Sequence, residues 1–220
     1  MFSMFKSSKI VELKLPMPLI KERANILFID NEKVELIETL QLEGWHVEYW
    51  DDVKSLKDLE EGKFDIIFLD IGGVGKAYAP TEEGFGILTR LKSVNPTVCV
   101  VAYSGMSFDA SKAQFWAKAD ASLSKSAGAI DAIELLEELL TKKYNSKVLW
   151  DDFKSILKIN HATDKQIELI QNAIFIDSKN SNKLEKLKVA LSTISLSAST
   201  MGSLITIGTK IYKIIEAVAK

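Results

Sequence analysis

Four polar residues close four separate apolar runs of this 220-residue chain. Asp30 ends NILFID, with Asn31 and Glu32 next; Asp70 ends DIIFLD; Ser104 ends TVCVVAYS; Lys125 ends the short run that starts at Ala121. Two carboxylates brought within a few ångström repel one another unless a cation lies between them, and a small pocket of hard oxygen ligands suits Mg²⁺. A hydroxyl and an ammonium on the opposite side could hold an anion such as a phosphoryl group. Together the four ends make a phosphoryl-accepting carboxylate with its metal and its charge clamp. Either acid alone reads better as a helix or turn cap. The set points to a site, because independent caps would not also supply Ser104 and Lys125.

Elements spaced along the chain must bring these ends together. Hydrophobic periodicity predicts strands at 25–30, 46–50, 65–70, 97–104 and 121–125. Between and after them it predicts helices at 34–42, 53–59, 87–93, 108–117 and 130–140. Five β/α units with largely apolar strands imply a parallel sheet covered on both faces and joined by right-handed crossovers. Ligands of such sheets bind outside the carboxyl ends of the strands, where the four polar residues fall. The segment after Asp70, IGGVGKAYAPTEEGFG, lacks the spacing of a phosphate-binding loop and reads as a long flexible loop.

On these residues, the segment from about Asn25 to Tyr144 resembles the response-regulator receiver domain of two-component signalling. The resemblance implies a flavodoxin-like doubly wound α/β sheet of order 2-1-3-4-5, with Asp70 as phosphoacceptor and Asp30 in an acidic Mg²⁺ pocket. It implies Ser104 as the hydroxyl that contacts the phosphoryl group, Lys125 as the lysine that pairs with it, and the Gly72 carbonyl as a backbone metal ligand. The partner implied is a histidine kinase or phosphotransfer protein, and the chain is then a signalling protein with at most self-catalysed phosphotransfer and dephosphorylation.

Three positions depart from the family pattern. Asn31 stands where a second acid is usual, which removes one formal charge from the metal pocket and leaves Asn31 and Glu32 as further candidate ligands. Ser126 replaces the usual proline after the lysine, so no cis peptide bond is expected there. Ser122 replaces an aromatic residue. These departures support an alternative expectation, a receiver-like interaction module that is not phosphorylated.

Lys and Arg number 28 against 30 Asp and Glu, and hydrophobic residues make up 47%, which excludes disordered, collagen-like and disulfide-scaffold classes. The single cysteine, Cys99, allows no intramolecular disulfide and sits mid-strand, where it reads as a small buried hydrophobe. His46 and His161 have no partner at ligand spacing. Trp45, Trp50 and Trp116 read as packing residues, whereas an exposed Trp150 would be notable. Residues 1–24 read as an extension whose apolar character is interrupted by Lys6, Lys9, Glu12 and Lys14, which argues for a cytoplasmic rather than a secreted protein.

The net charge of −2 hides an asymmetry. Residues 1–144 hold 17 basic and 23 acidic side chains, and residues 145–220 hold 11 and 7. The basic segment reads as all-α: two amphipathic helices at 149–159 and 163–175, a polar connector at 177–183, then a heptad pattern. That pattern runs from Leu184 through Leu187, Leu191 and Ile194 to Tyr212, Ile215 and Ala219. Unbroken it would span about 36 residues and roughly 54 Å as a coiled-coil helix, with Gly202 and Gly208 as candidate breaks into a hairpin. Between Lys188 and Lys210 no charged residue occurs, and Ser and Thr fill the positions off the seam. Such a face suits close packing on a helical partner or a second copy, and the basic segment could dock on the acidic domain of the same chain or on an anionic surface. Membrane insertion by a receiver-regulated effector ranks behind, because the Ser/Thr load is high for a span of about 20 residues. The lysines are scattered and form no basic recognition helix, which argues against DNA as the target.

Overall fold

In a computed structural model of the chain, residues 12–95, 97–105, 113–176 and 181–219 are described, the side chains of 113–115 excepted. Strands β1 (Asn25–Ile29), β2 (His46–Trp50), β3 (Ile66–Asp70), β4 (Cys99–Ser104) and β5 (Ala121–Ser124) form one parallel sheet in the order β2-β1-β3-β4-β5. Helices α1 (Met17–Lys21), α2 (Leu36–Leu42), α3 (Leu56–Glu60), α4 (Gly84–Val94), α5 (Ala113–Lys118) and α6 (Ala129–Lys143) accompany the sheet. An all-α part follows: α7 (Ser146–Ile159), α8 (Asp164–Phe175), α9 (Lys183–Leu191) and α10 (Ala198–Val218). This is the doubly wound α/β architecture with a helical C-terminal part that the alternating pattern implies.

The central strands bury both faces. Ile26, Phe28, Ile66, Phe68, Val101 and Tyr103 point into one core, and Leu27, Ile29, Ile67, Leu69, Val100 and Ala102 into the other, the two-residue alternation of a pleated strand. Phe28 and Phe68 stack at 4.2 Å, with the Tyr103 ring edge-on to both. Leu59, Leu88 and Leu91 of α3 and α4 close the second core. The first continues from Leu136 of α6 into Trp150, Phe153 and Ile211 of the helical part. Trp150 is therefore buried, stacked on Phe153 and edge-on to Phe175. Cys99 is buried as expected, and burial pushes its thiol up to about 11.

Local differences from the expected elements have local causes. Helix α4 starts at Gly84 rather than 87, and the 108–112 stretch of the predicted fourth helix lies outside the described residues, α5 being described from Ala113. No element was expected before Asn25, yet residues 12–24 are built into the first core. Pro16 and Pro18 open α1, where proline's fixed φ and missing N–H are tolerated, and Leu15 and Ile20 are buried. Leu13 N–H donates to Ser146 Oγ at 2.9 Å, and Ser146 N–H donates back to the Leu13 carbonyl at 2.9 Å. This strap crosses the α6–α7 junction, where the Asn145 side chain caps α7 by accepting from the N–H groups of Lys147 and Val148.

The heptad run does not form one helix. It breaks at residues 192–197, where the Ser192 and Thr193 hydroxyls bond the carbonyls of Val189 and Ala190 and Ser197 caps α10 by accepting from Thr200 N–H. Gly202 and Gly208 lie inside α10 instead of breaking it. A Cβ on Gly202 would stand 2.8 Å from Glu61 Cγ, and one on Gly208 2.5 Å from Leu187 Cδ2, so their small size admits the α3–β3 turn and α9. Within α10 the Ser/Thr face packs on the chain's own α3–β3 connection, while Ser192, Thr193, Ser195 and Ser197 ahead of it stay exposed. Ser203 Oγ donates to the Glu60 carbonyl at 2.8 Å, Ser199 Oγ to Glu60 Oε2 at 2.9 Å, and Lys210 Nζ meets Asp65 Oδ1 at 2.6 Å. Among the described residues no helix is long and apolar enough to cross a membrane.

Candidate functional site

The parallel register sets the carboxyl ends of β1, β3, β4 and β5 side by side, with Asp70 paired to Tyr103 and Ser104 to Ser124. Asp30 and Asp70 are nearly fully buried, and Lys125 reaches both. Its Nζ lies 2.8 Å from Asp30 Oδ2, 2.9 Å from Asp70 Oδ2 and 3.2 Å from Glu32 Oε2. The second oxygen of Asp70 accepts the Ile71 N–H at 2.7 Å and, more weakly, the Gly72 N–H at 3.4 Å; Asp30 Oδ1 accepts the Glu32 N–H at 2.8 Å. Tyr49 Oη donates to the Asp30 carbonyl at 2.7 Å, bracing the end of β1 from β2. Ser104 is buried beside this cluster, its carbonyl accepting the Lys125 N–H at 3.0 Å.

Asn31 lies on the neighbouring turn. Gly73 has φ +86°, and a Cβ there would stand 2.2 Å from Asn31 Oδ1, so the amide rests on Gly73 at a distance only glycine permits. The glycine-rich segment is pinned rather than loose. Gly73 N–H donates to Glu83 Oε2 and Gly75 N–H to Asp52 Oδ1, both at 2.5 Å, and Val74 is fully buried. Asp52 and Glu83 were absent from the sequence-based candidates. Asp52 could have been found as another acid just past the carboxyl end of a strand, β2; Glu83 immediately precedes α4.

One ammonium shared among three carboxylates leaves the cluster negative. Burial, reinforced by Asp30, raises the Asp70 carboxyl above its ordinary value against the opposing pull of Lys125. Burial alone would lower Lys125, but its hydrogen bonds to Asp30 and Asp70 outweigh this and hold the ammonium well above the usual lysine range. A carboxyl whose folded pKa exceeds its unfolded one favours the fold at low pH and loses that contribution as pH rises through the folded value. Asp70→Asn is therefore expected to gain stability relative to wild type as urea melts move upward from the ordinary Asp range to neutrality; a difference independent of pH would contradict it.

The donor chemistry fits a hard divalent cation: two buried carboxylates flank one positive centre, and the Asn31 amide lies close by. The acid count is lower than a strong site would have. Among the described residues no three His, Cys, Asp or Glu side chains form a metal-ready group. An open groove of about 530 Å³ adjoins the cluster, running past Asp30 and Lys125 between α2 and the start of α6.

No family model matches the chain, and no curated protein matches it. Solved structures do. The response regulator receiver domain protein (CheY-like) of Methanospirillum hungatei JF-1 is 25% identical, with 53% of this chain and 93% of that one covered and a TM-score of 0.44. The receiver domain of NtrX from Brucella abortus is 24% identical (52% and 97% covered, TM-score 0.44). The chemotaxis protein CheY4 of Vibrio cholerae is 20% identical (53% and 98% covered, TM-score 0.43). Over about half its length, then, this chain is similar to response-regulator receiver domains, and its own sheet runs in the order β2-β1-β3-β4-β5.

Proposed function

We propose that the chain is a response regulator in which Asp70 accepts a phosphoryl group from the phosphohistidine of a histidine kinase or phosphotransfer protein. The supporting observation is the single Lys125 ammonium held 2.8 Å from Asp30 and 2.9 Å from Asp70 at the carboxyl edge of the sheet. Asp70 Oδ2 attacks phosphorus, the P–N bond breaks, and the imidazole leaves with the bonding pair. Lys125 stays charged and turns from neutralising the Asp70 carboxylate to neutralising the phosphoryl oxygens that replace it. Ser104, at the end of β4, donates its hydroxyl to the same group. In this reading Asp30 and Asp70 hold Mg²⁺, with the Gly72 carbonyl, Asn31 and Glu32 completing the ligands. When bound, the ion supplies positive charge across the transferring phosphoryl oxygens.

The helical part is the output in this reading, acting in the cytoplasm through self-association or a helical protein partner. Its resting state is the docked α10 described above.

Incubation of the full chain with Mg²⁺ and acetyl phosphate, followed by intact-mass measurement, is expected to show one added phosphoryl group in wild type and none in Asp70→Asn. The P–O bond of acetyl phosphate breaks and acetate leaves, so no kinase is needed. No adduct on wild type, with Asp70→Asn indistinguishable from it, would instead favour the non-phosphorylated interaction module that Asn31, Ser122 and Ser126 motivate.

A further inference from the structure

Where the helical part meets the α/β part, at the amino edge of the sheet, a cavity of about 250 Å³ is lined by Arg23, Lys63, Lys210 and Lys213 together with Asp65 and Thr206. Asp65 and Lys210 neutralise one another at 2.6 Å. Lys63 is exposed and, among the described residues, its one carboxylate partner is the substantially exposed Asp58. Arg23 and Lys213 have no carboxylate partner among the described residues; Arg23 Nη1 instead donates to the Lys213 carbonyl at 3.4 Å. Thr206 and Thr209 spend their hydroxyl protons on the α10 carbonyls of Gly202 and Ile205, so the cations carry whatever recognition occurs.

Arg23 and Lys213 leave the cavity with positive charge that no carboxylate offsets among the described residues, and a bound anion would neutralise it. We infer that this cavity is a binding site for a small, multiply charged phosphate anion. The volume falls below the roughly 300–1,000 Å³ of sites for drug-sized ligands, which selects inorganic phosphate, pyrophosphate or a compact phosphomonoester. Arg23 and Lys63 belong to the α/β part and Lys210 and Lys213 to α10, so the anion would bridge the two and hold the helical part in its docked position. The site lies at the opposite end of the sheet from Asp70 and does not depend on Asp70 being phosphorylated.

The test is thermal unfolding of the full chain in EDTA at constant ionic strength, with sodium pyrophosphate and glycerol 2-phosphate titrated against sodium chloride. A saturable rise in Tm with either phosphate compound but not with chloride is expected, since a ligand that binds only the folded state stabilises it by mass action. The larger response identifies the diphosphate or the monoester as the preferred form. Arg23→Gln/Lys213→Gln should raise the apparent Kd at least about tenfold while its ligand-free Tm stays at or above that of wild type. Asp70→Asn should respond as wild type does. No rise beyond chloride, an unchanged rise in the double variant, or a rise abolished by Asp70→Asn would each overturn the assignment; the last would place the anion at the strand-end cluster instead.

Discussion

Lys210→Met is expected to destabilise the chain by about 3 kcal/mol, the low end for stripping one partner from a buried ion pair, because the Lys210 side chain keeps some exposure. The partner left behind decides the size. Asp65 is 2% exposed, and without Lys210 its carboxylate keeps, among the described residues, the Asn25 N–H at 2.9 Å and the Tyr144 hydroxyl at 3.3 Å. Neither carries charge. Asp65→Asn in the Lys210→Met background removes the stranded charge and should recover most of the loss, since replacing both members of a buried pair is close to neutral. Urea unfolding of the two single variants and the double variant measures this as a coupling between β3 and α10. If Lys210→Met shifts the midpoint no more than an exposed lysine substitution does, α10 is not anchored through this pair.

That pair shows why the site was legible in the sequence and the choice of docking partner was not. Asp30, Asp70, Ser104 and Lys125 announce themselves because each ends an apolar run, and a parallel sheet aligns such ends by rule. Their convergence needs only the strand order. The partner of the Ser/Thr face could not be read in the same way. Its main acceptor is the backbone carbonyl of Glu60, which carries no side-chain signature, and the contact joins residues far apart in sequence. The break at residues 192–197 was hidden for a related reason: heptad spacing continues straight through it, while short-range hydroxyl–carbonyl bonds at Ser192 and Thr193 override the apolar periodicity. Residues 12–24 were passed over because Glu12 and Lys14 dilute an apolar pattern that Leu15, Ile20 and Ala24 carry into the core.

β3 ties the two ends of the α/β part together. Asp65, one residue before it, is held by the helical part, and Asp70, its last residue, is the candidate phosphoacceptor. Five residues of strand put them roughly 17 Å apart. A buried charge therefore sits at either end of one fully buried strand, each with a lysine from a distant part of the chain.

Gly84→Ala is expected to disrupt the strand-end cluster as strongly as any substitution outside it, costing about 3 kcal/mol, the upper end for overpacking. A Cβ on Gly84 would stand 1.9 Å from the Asp70 carbonyl oxygen and 3.0 Å from that of Ile71, and both obstacles are backbone. A flexible side chain could turn aside; the last residue of a central strand cannot without leaving its pairing with Tyr103. The Gly84 N–H also donates to the Ile71 carbonyl at 3.0 Å, so α4 would pull away from the turn that supplies the Ile71 and Gly72 N–H groups to Asp70. Gly105→Ala provides the control at the next strand end, because among the described residues a Cβ there meets Lys125 Cδ and Cβ at an ordinary 3.6 and 3.9 Å. Urea melts should separate the two variants clearly, and uptake of phosphate from acetyl phosphate should fall in Gly84→Ala but not in Gly105→Ala. Equal behaviour of the two would mean that the Gly84 contact with Asp70 does not position the carboxylate.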